Sequence, residues 1–172
     1  MFLSSLKNLF TKKIVKNSLS NVKHDASGSL ISTVGIVFDE TYFYEKEAIV
    51  SALESNGILP DSTDVLVFKN RIRKNEVFDY PVFSHRDLSW KATFRNSSVK
   101  EFIEKPFDLL INYYDVEKSP LMVVSNLSKA RFKVGFASVN KKLNHFMIDT
   151  HAENHEVFLS EMFKYLKILN KL

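Results

Sequence analysis

The chain has 172 residues, 45% hydrophobic and 13% aromatic, with 15 Phe, one Trp, no Cys and a formal net charge of +4. Such a chain can bury one core, which excludes a disordered or low-complexity polymer. The lack of cysteine excludes disulfides and thiolate metal sites and fits a reducing cytoplasm, and no run reaches the roughly 18 apolar residues of a membrane span.

The charge is unevenly distributed. Residues 1–24 carry Lys7, Lys12, Lys13, Lys16 and Lys23 and no acidic residue, so the remainder is close to neutral. The first stretch, MFLSSLKNLFTKKIVKNSLS, predicts an amphipathic basic helix over residues 1–20. Phe2, Leu3, Leu6, Leu9, Phe10 and Ile14 share one arc at 100° per residue, Lys12 and Lys16 lie off it, and Lys13 interrupts it. Lys7 and the Lys12-Lys13 pair break the apolar run, which argues against a secretory signal, and the absence of arginine sets the segment apart from a transit peptide. Residues 21–30 read as a polar linker and residues 31–172 as a single domain.

In that domain Val34, Ile36, Val37 and Phe38 make a continuously apolar strand, as in a parallel sheet buried on both faces. A helix is expected from Tyr42 to Asn56, stopped by Gly57 and Pro60, then a strand at Val65 to Phe68. Residues 69–95 hold the basic cluster KNRIRK and a short strand near Val82–Phe83, and Asn96 or Ser97 can cap a helix ending before Pro106. Phe107 to Tyr113 reads as a strand, Ser119 to Leu127 as a helix with Pro120 in its first turn, and Phe132 to Phe136 and His145 to Ile148 as strands. Val157, Phe158, Met162, Tyr165, Leu166 and Leu169 mark one face of a last helix. Strands alternating with helices predict an α/β class: a single Rossmann-like or flavodoxin-like three-layer domain with a mainly parallel sheet of about five strands, preceded by the amphipathic basic helix.

The stretch FDLLINYYDVEKSPLMVVSNLSKARFKVGF, followed by NHFMIDT and an amphipathic helix, resembles an uncharacterised domain family of Bacteroidota. The shared flow is a strand ending in Asn, a polar turn, a Pro-Leu helix and a Ser-Lys-Ala-Arg-Phe-Lys-Val-Gly run. The resemblance covers most of the chain and implies a small bacterial cytoplasmic protein; it brings no activity with it. More distantly, the pattern is similar to the N-terminal half of heptosyltransferase-type glycosyltransferases. Those enzymes bind sugar nucleotide mainly through a second domain, which these residues do not include, so a lone transferase is not expected.

In open parallel sheets ligands sit beyond the carboxyl ends of the strands. The rim candidates there are Asp39, Asn112, Tyr113, Asp115 and Asp149. Asp39, Asp115 and Asp149 could converge on a divalent cation, but capping of the following helices is the simpler role for Asp39 and Asp149. The first strand–helix turn, FDETYFYEK, has no glycine and two acids, so the Rossmann and P-loop phosphate fingerprints are absent. His151 and His155 have an i, i+4 spacing without the HExxH order, and are read as surface histidines at a helix start. His85 and Asp87 lack a nucleophile elbow. Trp90 could stack on a ligand, but partly buried packing is the expectation for a single Trp.

No catalytic residue, metal or cofactor is assigned. The expected function is a non-catalytic interaction module meeting an anionic partner through Lys7, Lys12, Lys13 and Lys16, with Lys69, Arg71, Arg73 and Lys74 assisting. The partner would be RNA or the ribosome, another protein complex, or an anionic membrane surface at which the protein is peripheral; the helix could instead dock on its own domain. The alternative is a small ligand-binding or glycosyltransferase-like enzyme domain, its small-molecule ligand unknown, with its site at the carboxyl edge of the sheet.

Overall fold

The structure, a computed structural model, describes Lys13, Asn17 and residues 29–172. Lys13 and Asn17 are helical and exposed, while the rest of the basic segment assigned to residues 1–20, including Lys7, Lys12 and Lys16, and nearly all of the linker lie outside the described residues.

Six strands form one sheet: β1 (Val34–Asp39), β2 (Thr63–Phe68), β3 (Val82–Phe83), β4 (Leu109–Tyr113), β5 (Phe132–Phe136) and β6 (Phe146–Ile148). Their order is β3-β2-β1-β4-β5-β6 and every neighbouring pair is parallel. Four α-helices are described: α1 (Lys46–Ser55), α2 (Ser97–Glu104), α3 (Ser119–Leu127) and α4 (His155–Ile168). This is an α/β domain consistent with a Rossmann-like fold, and the strand order is the Rossmann one rather than that of flavodoxin. The sheet has six strands, not about five, because the two-residue β3 pairs with the end of β2 through Val67↔Val82 and Phe68↔Phe83.

Alternation along the strands sends side chains to two cores. Ile36, Phe38, Val65, Val67, Ile111 and Tyr113 meet α1 and α4 on one face. Val37, Leu66, Phe68, Leu110 and Tyr114 meet α2 and α3 on the other. Both faces are covered, so the strands read as unbroken apolar runs.

Several boundaries move for local reasons. The helix expected from Tyr42 starts at Lys46. Asp39 Oδ1 accepts the Thr41 N–H at 3.1 Å, closing an Asx-type turn, and Phe43 packs on Phe38 and Tyr113 instead of riding a helix. Gly57 stops α1 with φ +89°, a left-handed position that a Cβ disfavours. Asn96 caps α2, its side chain accepting the Ser98 N–H at 3.0 Å. On α4 the buried face holds Phe158, Leu159, Met162, Phe163 and Leu166, whereas Val157 is exposed.

Candidate functional site

Between β1 and β4 the strand order reverses, and this is the boundary at which doubly wound proteins bind ligands. The residues found there are Asp39 at the end of β1, Thr41 in the following turn, and Lys118 just before α3. Lys118 Nζ donates to Asp39 Oδ2 at 2.5 Å and to Thr41 Oγ1 at 2.6 Å, and Thr41 Oγ1 donates to Asp39 Oδ1 at 2.5 Å. The ammonium also lies 5.1 Å from the Phe68 ring centroid and 5.5 Å from that of Tyr42. The cation is thus held by one carboxylate, one hydroxyl and two aromatic faces.

One strand away, Glu40 receives two lysines, Lys69 at 3.0 Å and Lys46 at 3.2 Å, and Lys69 also reaches Glu76 at 2.8 Å. Glu76 and Glu40 hold the Lys69 ammonium above its ordinary pKa; burial works against Lys46, but its bonds to Glu47 and Glu40 outweigh it and raise that group too. A polar cavity of about 170 Å³ opens here, lined by Glu40, Lys46, Lys69, Asp79 and Tyr80 among others. Of the expected basic contacts Lys69 is therefore neutralised, while Arg71, Arg73 and Lys74 are exposed and make no salt bridge among the described residues.

The rim candidates divide. Asn112 and Tyr113 are fully buried. Tyr113 donates its hydroxyl to Ala152 O at 2.5 Å and stacks on Phe38; burial pushes the phenol up, so it stays neutral. Asn112 points the other way, under α3. Its Nδ2 donates to Asn144 Oδ1 and its Oδ1 accepts from Ser125 Oγ, both at 2.7 Å, and Ser125 Oγ is 2.7 Å from Tyr114 OH. Asp115 lies on the rim, where its carboxylate accepts the Ala152 N–H at 3.1 Å. Asp149 is exposed. Asp39 pairs with Lys118 and caps no helix, and Asn154, not Asp149, stands at the start of α4, so the expected capping roles are replaced. His151 precedes α4 and only His155 is helical, so the two imidazoles do not share a helix face. Among the described residues no group of three or more His, Cys, Asp or Glu could hold a metal ion, and no helix is long and apolar enough to cross a membrane.

Two features escaped sequence reasoning. Lys133 sits mid-strand in FKVGF, where β5 faces α3, and its ammonium donates to Ser125 O at 2.7 Å and Ser128 O at 2.9 Å. Burial lowers its pKa to about 8. A lysine inside an apolar strand was the available signal. Lys118, in an exposed-looking polar turn, gave none. Trp90, for which stacking on a ligand and partly buried packing are the two expectations, is 56% exposed.

The chain belongs to a family of unknown function (DUF6913), whose model matches residues 7–169. No curated protein and no solved structure matches it.

Proposed function

We propose that this member of an uncharacterised family is a non-catalytic module that binds an anionic partner, with RNA or a ribosomal surface as the partner class. The observation that carries the reading is the β2–β3 connection. Lys69 is spent on Glu40 and Glu76, yet Arg71, Arg73 and Lys74 project exposed from the same carboxyl edge. Together with the five lysines of residues 1–24 they would supply the cations for a polyanion to meet. A bacterial cytoplasm, suited to a cysteine-free chain, is the setting this reading assumes.

The test is retention on immobilised heparin across a salt series. The full chain should elute late, the Arg71→Ala/Arg73→Ala/Lys74→Ala variant earlier, and deletion of residues 1–20 earlier still. Retention equal to that of a neutral control protein would overturn the reading. Binding to anionic vesicles with no retention on heparin would move the partner from nucleic acid to membrane.

A second reading is favoured by the strand order itself: a small ligand at the β1/β4 boundary, as in a glycosyltransferase-like domain. There an incoming anion would compete with Asp39 for Lys118. A thermal-shift screen with nucleotides and sugar nucleotides tests it, a positive result being one that disappears in Lys118→Ala.

A further inference from the structure

The charge of the described domain is not spread evenly. Residues 69–96 hold seven basic and three acidic side chains, a formal +4 that equals the net charge of the whole chain. Two of the three acids are engaged by the protein's own donors. Glu76 binds Lys69, and Asp87 accepts the Ser84 N–H at 2.8 Å and the Ser84 hydroxyl at 3.0 Å. The basic side chains beyond Lys69 are all exposed.

Within this stretch residues 87–95 form a small hairpin. Leu88 and Phe94 make an antiparallel bridge, and both are buried in the core beneath. The Ser89 N–H donates to Thr93 O at 2.8 Å, the Arg95 N–H donates to Asp87 O at 3.1 Å, and the Ser89 and Thr93 hydroxyls lie 2.7 Å apart. Ala92 turns the tip at φ 56°, a left-handed conformation uncommon outside glycine. The anchored turn therefore presents Trp90 and Lys91 at its tip, with Arg86 and Arg95 exposed at its base. None of the cation–ring pairs among the described residues uses the Trp90 ring. The Arg71–Lys74 loop and the segment that leads to this hairpin leave neighbouring strands, the Lys69 N–H donating to Phe83 O at 3.0 Å where the two connections begin.

An exposed indole on a fixed turn, with exposed cations on the same short stretch of chain, suits a single-stranded nucleic acid. Bases stack on the ring and phosphates meet the cations, without demand for a particular sequence. We infer that the Trp90 hairpin, with Arg86, Lys91 and Arg95, is a stacking platform for single-stranded RNA. The inference rests on the anionic-partner reading and names the atoms that would distinguish RNA from any other polyanion.

Trp90 is the chain's one Trp, so intrinsic fluorescence reports on this ring directly. The full chain is titrated with an oligouridylate of about ten nucleotides, a length on the scale of single-strand sites, and in parallel with heparin. Oligouridylate should quench the fluorescence to saturation. The Trp90 variants lack this fluorophore and are compared with the wild type by the polarisation of an end-labelled oligouridylate: Trp90→Ala should weaken binding by roughly tenfold or more, the effect of losing one stacked base, and leave heparin binding and the melting temperature unchanged. Trp90→Phe should restore most of the affinity. Heparin binding with no oligouridylate quenching would overturn the platform while the anionic-partner reading stands; binding of neither overturns both. A blue shift on anionic vesicles with no response to oligouridylate would also overturn it, in favour of a membrane surface.

Discussion

Lys118 is paired at 2.5 Å with Asp39, a residue 79 positions earlier in the chain, at the boundary where the strand order reverses. Both side chains are close to buried, at 12% and 9% exposure. The position at which this kind of fold binds ligands is thus taken by the protein's own charge pair. Removing one partner of such a pair leaves the other poorly solvated, a larger loss than removing both. Lys118→Met should therefore destabilise by about 2 kcal/mol, and the Asp39→Asn/Lys118→Met double variant should recover at least half of that. Urea denaturation midpoints measure both; equal stability of the two variants would rule out coupling.

Asn112 belongs to the interior, and its removal should register in stability. Its amide joins Ser125 on α3 to Asn144 beyond β5, so Asn112→Ala removes two buried hydrogen bonds and takes from Asn144 Oδ1 its Asn112 donor, while Ser125 keeps Tyr114 and Leu121 O. A loss of about 2–3 kcal/mol is expected, for two interactions of the usual cost. An Asn112→Ala protein with unchanged thermal stability would contradict the buried role.

Gly135 faces the same network. A Cβ built there would lie 2.5 Å from Asn144 Nδ2 and 2.9 Å from its Cγ. Asn144 is 4% exposed and is held by Asn112, so it has little room to retreat. Gly135→Ala should cost about 1–3 kcal/mol through overpacking. Adding Asn144→Ala should relieve the clash while forfeiting the hydrogen bond, so the double variant should be less destabilised than the two single losses added together.

Lys133 sets a pH dependence. Its folded-state pKa, about 8, lies below the ordinary 10.5. Below pH 8 both states carry the proton and the full cost of burying the charge opposes folding. Between about 8 and 10.5 the unfolded chain binds more protons than the native one, so this group makes stability rise with pH. The wild-type protein should gain on the order of 2–3 kcal/mol across that window relative to Lys133→Met. The difference between their urea midpoints as a function of pH is the measurement, and a flat difference would refute the assignment.

At the hairpin tip Ala92 adopts φ 56°. Glycine occupies that region without a Cβ penalty, so Ala92→Gly should be neutral or stabilising by up to about 1 kcal/mol. Most surface Ala→Gly changes lose stability instead. Thermal unfolding of the variant decides the sign.

What could be read along the chain follows from local pattern. The apolar runs at Val34–Phe38, Val65–Phe68 and Phe132–Phe136 announce strands covered on both faces, and Pro120 in SPLMVVSNL marks a helix start that the structure reproduces at Ser119. Asn96 is a cap wherever a helix follows it. The rim of the site was less legible. Asn112 and Tyr113 end a strand and so seemed to face a ligand, but the helices above the sheet extend over them and both are sealed inside. Packing is the expectation for a single Trp by its type, but the bridge between Leu88 and Phe94 leaves Trp90 at an exposed tip.

Secondary structure and the broad α/β class were therefore determined by the amino-acid sequence alone, because backbone geometry imposes periods of two and 3.6 residues that local side chains must match. The strand order, the Lys118–Asp39 bridge, the buried Asn112–Ser125–Tyr114 network and the exposed Trp90 were decided only by tertiary structure. Each joins or separates groups according to how helices and sheet pack in space, and the cost of burying a charge or an amide depends on the partner found there, not on the neighbours in the chain.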